Sequence, residues 1–383
     1  MGAGRLRAAV ALPLAALLLS ACAERTATSD DAGARSGSWT TVPSAPLSPR
    51  LDAVTAWTGT EALVLGGDVD GFCPPNASCA TATESAADGA AYDPEQQTWR
   101  LVAEAPYPVP GGTPRAVAGD VVHLVHDDRL LSYDASEDAW SVSPPAPEGA
   151  DLGAPASLDD GTVVVVDGER TAGDPSGLVY APATRTWSEL TGDPLGPTFD
   201  RVATAVPGGL VLTGTVLPDD PSTIRPAMRG ALLNLATQEW SVLPENPRTG
   251  GWHWSWTGER LVDVYPDGQT ADGGRFAQGG VLDPGTGEHG ALPEAPEMNS
   301  GGWPVQAVQG PLAAVDGWVY DDRDRTWTRL EHPDGAPARP GSAVWAGDDL
   351  LVLGGMDTDA GWGAEHLSGD AWLWQPSGVD PSR

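Results

Sequence analysis

Ala91-Tyr92-Asp93-Pro94-Glu95-Gln96-Gln97-Thr98-Trp99 reads as a short strand, a polar turn and a second strand headed by tryptophan, and the chain repeats it. The pattern is a small or apolar residue, then Tyr or Leu, an often acidic residue, a polar turn and a closing aromatic. It returns as Ser132-Tyr133-Asp134 to Trp140, Val179-Tyr180 to Trp187, Val281-Leu282-Asp283 to His289 and Val319-Tyr320-Asp321 to Trp327. With Trp39 and Trp240 the closing positions make a ladder of seven, histidine standing in once. A fixed period of this size means one supersecondary unit repeated along the chain.

A second ladder lies ahead of the first. Trp57-Thr58-Gly59, Trp256-Thr257-Gly258 and Trp345-Ala346-Gly347 each precede an apolar run, and weaker copies centre on Val117, Leu158, Val206 and Val308. Trp57 to Trp345 spans 288 residues over six intervals, 48 each, and Trp39 to Trp327 spans the same 288. Each unit therefore reads as four short strands. In unit 1 they are an inner strand through Val54, a second at Ala62 to Leu65, a third at Ala90 to Tyr92 and an outer one at Trp99 to Val102. β-Branched and aromatic residues with Gly-rich turns support strands, and no amphipathic helix follows the first residues.

Four-stranded sheets repeated radially make a propeller with short, protected edges. The expected fold is all-β, a seven-bladed β-propeller of antiparallel blades over residues 38–376, with 377–383 as a tail. Asp370-Ala371-Trp372-Leu373-Trp374-Gln375-Pro376 matches the Tyr-Asp phrase, placing Trp374 where Tyr92 sits in unit 1. Ser38-Trp39-Thr40-Thr41 is an outer strand with no unit before it. Together they complete the last blade and close the ring.

The Gly-Gly doublets Gly66-Gly67 and Gly354-Gly355, the Tyr-Asp phrase and the closing tryptophan resemble the kelch family of β-propellers, as in the central domain of galactose oxidase. The resemblance covers about residues 38 to 376, with the doublet kept in two units. It implies a propeller, and enzymes occur among such proteins. The copper site of galactose oxidase needs tyrosines and histidines. Here Tyr92, Tyr133, Tyr180 and Tyr320 are repeat positions and His289 is a rung, while His123 and His126 fall on opposite sides of one strand.

The beginning of the chain has its own chemistry. Arg5 and Arg7 precede an apolar run, Ala8 to Leu19, too short to span a bilayer. Leu19-Ser20-Ala21-Cys22 then resembles the lipobox of bacterial lipoproteins, which implies a signal peptide over 1–21 and a diacylated Cys22. Each buried acyl methylene contributes ~0.8 kcal/mol, so two chains anchor stably. Residues 22–37, rich in Thr, Ser, Asp, Ala and Arg, read as a flexible tether. Cys73 and Cys79 close a short loop that outside the cytoplasm forms a disulfide, contributing roughly 2 kcal/mol.

Charge excludes whole classes of partner. The chain holds 53 acidic residues against 21 basic ones, all arginine. Without residues 1–21 there remain 19 arginines and 53 acids, a balance of −34. Nucleic acid and bare anionic membrane are repelled, so contact with a membrane runs through the lipid anchor only. With no lysine there is no Schiff-base chemistry and no ordinary P-loop. Asp68-Val69-Asp70-Gly71 and Asp357-Thr358-Asp359 offer carboxylates for calcium without completing a calcium loop.

Function is expected on the face built by the second-to-third and outer-to-inner connections, of which Asp68 to Asp88, Thr215 to Arg229, Asp267 to Gly280 and Met356 to Gly369 are long. Gly251-Trp252-His253 and Gly302-Trp303-Pro304 precede inner strands at the channel mouth. Their indoles, with Trp362, offer a stacking platform for a sugar or other flat ligand, or else plug the mouth as packing. Arg50, Arg115 and Arg201 at blade starts can clamp a carboxylate or serve the chain's own acids. The leading expectation is a lipid-anchored binding or scaffold protein on the outer face of the cytoplasmic membrane, holding a protein or glycan of the cell envelope. The alternative is a carbohydrate-active enzyme of the epimerase or lyase kind, using His253 with the arginines.

Overall fold

The computed structural model describes residues 37–70, 84–170, 176–216, 227–245, 254–264, 267–269, 275–277, 279–293, 303, 306–358 and 363–377. They form seven antiparallel blades around a channel. Blade 1 comprises Val54–Trp57, Ala62–Leu65, Gly89–Asp93 and Thr98–Leu101 from inside outward, and blade 2 Arg115–Ala118, Val121–His126, Arg129–Asp134 and Ala139–Val142. Blade 7 takes Arg339–Ala346, Asp349–Met356 and Leu367–Pro376 from the end of the chain and Gly37–Val42 from its beginning. Blade 5 is the slightest, its strands Ser255–Trp256, Leu261–Asp263, Gly280–Leu282 and His289–Gly290 being two or three residues long.

Register explains why the two ladders share one period: they are the two ends of a single row of side chains across each blade. Trp57 pairs with Ala62, Ala62 with Tyr92 and Tyr92 with Trp99. The same row runs Val308, Ala313, Tyr320, Trp327 in blade 6 and Trp345, Leu350, Trp374, Trp39 in blade 7. In blades 3 and 4 the inner members are Ser157 and Ala205, one residue before Leu158 and Val206, the positions read from the sequence. In blade 3 the first hairpin is one residue longer, Ser157 pairing with Val163 six residues on where Trp57 pairs with Ala62 five on, while blade 4 keeps the common spacing.

The polar turn between third and outer strands is built by its acidic residue. Asp93, Asp134, Asn234 and Asp283 each accept from the two backbone N–H groups two and three residues on, and Asp321 from that of Arg323. This is the local turn chemistry of Asp and Asn. Two residues before six of the seven rungs the backbone is left-handed, at Gln97, Asp138, Arg185, Gln238, Gly287 and Arg325.

Five of the seven rungs also tie their blade to the one before. The indole N–H groups of Trp99, Trp140, Trp187, Trp240 and Trp39 donate to the carbonyls of Pro43, Ala103, Pro144, Thr191 and Glu331, at 2.7–3.0 Å. Every acceptor lies four residues beyond the preceding rung. Rings of Tyr92, Tyr133, Tyr180 and Tyr320 pack on their rungs with centroids 5.0–5.1 Å apart. The rungs are half-buried, so each contributes less than the roughly 4–6 kcal/mol of a fully buried indole.

Seven apolar clusters fill the gaps between neighbouring blades. The gap closing the ring packs Val344, Leu351 and Leu373 of blade 7 on Ala62, Val64 and Tyr92 of blade 1. The connections also differ in part from the expectation. In blade 4 the strands Gly209–Val216 and Ala227–Asn234 extend into the long connection, and in blade 5 a small hairpin, Asp267–Gln269 with Arg275–Ala277, occupies it.

Candidate functional site

Inner strands descend from the face carrying the second-to-third and outer-to-inner connections, called here the upper face. At its rim, between blades 6 and 7, lies a groove of about 750 Å³. Its walls are the blade 6-to-7 connection, with His332 and Gly335 to Ala338, and the upper loop of blade 7, with Asp357 and Glu365 to Ser368. Both walls are shaped by glycine. Gly354 and Gly355 adopt φ of 75° and 124°, and a Cβ at either would come within 2.8 Å and 2.5 Å of the carbonyl oxygens of Arg50 and Arg339. Only glycine permits that approach.

The groove is polar. His332 Nε2 donates to the Pro337 carbonyl at 3.2 Å, and since a carbonyl only accepts, that nitrogen carries the proton. Trp303 Nε1 donates to the same oxygen at 3.1 Å. His366 Nε2 lies 3.4 Å from Glu365 Oε1. Asp357 and Glu365 are exposed acceptors. Such a lining can hydrogen-bond a hydroxyl-rich or peptide ligand.

Trp303 itself is 3% exposed. Its ring meets Trp39 and Trp372 edge-on at 5.3 and 5.4 Å and His332 at 5.6 Å. Of the two expectations for this indole, packing is the one its place fits, because blade 7 closes over it and leaves no face for stacking. Trp252, His253 and Trp362 lie outside the described residues, as do Cys22, Cys73 and Cys79.

Two of the three arginines serve internal acids. Arg50, 2% exposed, forks onto Asp88 at 2.7 and 3.3 Å and also donates to Ser48 and the Gly66 carbonyl. Arg201 shares Asp193 Oδ2 with Arg170, at 2.9 and 2.8 Å. Burial pushes the Arg201 guanidinium down, against the attraction of Asp193. Its Nε and Nη1 are buried without acceptors. Neither side chain is available as a clamp while these pairs hold. Arg115 stands apart, exposed on the innermost strand of blade 2.

Several upper-face residues carry no mark in the sequence. His332 and His366 sit outside the repeated phrases, and Tyr107 in the blade 1-to-2 connection stacks on His126, centroids 4.6 Å apart. Asp52 and Asp200 share a left-handed backbone, φ 52° and 50°, at matching positions three residues ahead of Thr55 and Ala203. Such strain concentrates at functional surfaces. Asp52 accepts from Arg339 of blade 7 at 3.2 Å. Of the calcium candidates, Asp68 Oδ1 is taken up by Ser85 Oγ and the Gly111 N–H, and Asp357 faces the groove. No group of three or more metal-ligating side chains converges among the described residues.

No family model matches the chain, and no curated protein does. Solved structures do. The chain is similar to U3-55K at 11% identity and a TM-score of 0.50, over 90% of this chain and 100% of that one. It is similar to YjhT at 15% identity and a TM-score of 0.44, over 66% and 87%. At such identities the likeness shows the fold alone.

Proposed function

We propose that this protein is an exported, kelch-like propeller, lipid-anchored through Cys22 to the outer face of the cytoplasmic membrane, that binds a protein or glycan on its upper face. The groove between blades 6 and 7 carries the reading. Its volume of about 750 Å³ falls within the ~300–1,000 Å³ of small-ligand sites. Its hydrogen-bonding lining suits a sugar or a peptide backbone better than an apolar ligand. Connectivity supports the same face: Gly37 pairs with Pro376 at the lower end of blade 7, away from the groove. The Cys73–Cys79 disulfide belongs to this reading as a brace within the longest upper connection.

Glycan and peptide arrays probed with the whole chain are expected to give hits on one ligand class. Asp357→Ala and Glu365→Ala should each weaken such a hit by about tenfold, or 1.4 kcal/mol, with unchanged melting temperature. Hits indifferent to both variants, or turnover of a sugar by a chain that retains nothing on either array, overturn the reading. Incorporation of labelled palmitate that is lost in Cys22→Ser checks the anchor.

A further inference from the structure

Arg115 opens the inner strand Arg115–Ala118 on the wall of the central channel. It is exposed, and it makes no hydrogen bond or ion pair among the described residues. That is unusual for this chain, in which 53 acids surround 21 arginines. Among the described residues the other upper-face arginines are spoken for, Arg50 by Asp88, Arg170 and Arg201 by Asp193, Arg229 by Glu245 and Arg339 by Asp52. The residues at the Arg115 level on the other six inner strands or just ahead of them are Thr55, Pro155, Ala203, Trp254, Gln306 and Ala343, and none is charged. Burial pushes the Arg115 guanidinium down with no acid opposing it. Arg115 is thus open to solvent and yet crowded by the inner strands around it.

An aromatic shelf stands beside it. Arg115 pairs with Leu124, and His126 is two residues further along that strand. Arg115 and His126 therefore share one face of blade 2, their levels ~7 Å apart. Tyr107 covers His126 with ring planes inclined at 21° and remains 39% exposed, so part of its ring is free. Asp127 lies 3.8 Å from His126 Nε2 with its side chain 89% exposed to solvent.

We propose that the channel mouth beside blade 2 binds a ring-shaped organic monoanion, its carboxylate forked on Arg115 and its ring against Tyr107. A guanidinium matches a carboxylate in two parallel hydrogen bonds. One unit of positive charge in so acidic a protein balances a monoanion and leaves a phosphate dianion uncompensated. The site is separate from the groove between blades 6 and 7 and does not depend on what that groove holds.

Titration calorimetry of the whole chain with D-glucuronate, benzoate, D-glucose and inorganic phosphate tests the proposal. At least one of the two ring carboxylates should bind about tenfold more tightly than glucose and phosphate. Arg115→Gln should lose that binding at unchanged or raised melting temperature, since it breaks no contact and removes an enclosed charge. Tyr107→Ala should weaken it while leaving the fold intact, and Asp357→Ala should leave it untouched. Failure of both carboxylates to bind at millimolar concentration, or equal binding by wild type and Arg115→Gln, overturns it.

Discussion

His123 stands in blade 2 where Leu63, Val164, Val211, Val262, Ala314 and Leu351 stand elsewhere, each paired with the third strand at the same level. It is 3% exposed, bonded through Nδ1 to Ser132 Oγ at 2.8 Å, and burial pushes its imidazole down to about 4. The folded protein holds the neutral ring, while the unfolded chain takes up a proton near the ordinary 6.5. This contribution to stability is complete above pH 6.5 and is lost as pH falls toward 4, up to about 3 kcal/mol. His123→Leu should therefore flatten the fall in urea midpoint across that window, and parallel curves for variant and wild type would refute the assignment. A second test compares rungs. Trp187→Phe removes a donor bonded to Pro144 at 2.9 Å and should cost about 1 kcal/mol. The Trp327 Nε1 is buried without an acceptor, so Trp327→Phe should cost less, and the reverse order in denaturant titrations would contradict the role given to the indole N–H.

At the scale of elements the decisive piece is Gly37–Val42, which completes blade 7 along six residue pairs with Leu367–Pro376. Every other outer strand follows its third strand through a tight turn, whereas this one is held by contacts alone. Trp39 concentrates them: it pairs with Trp374, donates to Glu331 in the blade 6-to-7 connection and meets Trp303. Losing it detaches an end of the chain, which regains its conformational entropy as soon as it leaves. Trp39→Ala is expected to lower the unfolding midpoint more than Trp187→Ala and to raise proteolysis near the first blade. Equal midpoints and equal cleavage would remove the closing strand from its special place. Trp303 belongs to this clasp as well, through Trp39 and Trp372, and so it lines no platform.

For the whole molecule, legibility followed range along the chain. The Asp93-to-Trp99 phrase encodes its turn and its outer strand within seven residues, and Trp374 could be aligned with Tyr92 because the same local pattern recurs. Period, blade count and the borrowed strand are all of that kind. The candidate site is not. Arg50 and Arg201 lie at blade starts just as Arg115 does, and nothing near them in sequence tells a paired guanidinium from an unpaired one. Arg50 meets an acid 38 residues away, Arg339 one 287 residues away. His332 and His366 face one groove because blade 7 folds back against blade 6. By itself the sequence determined the repeating row of side chains and hence the ring, since strand alternation and turn chemistry act over a few residues. Only the tertiary structure decided which charges are neutralised, which indoles are covered and where a groove remains, because those depend on distances between loops that the ring brings together when it closes.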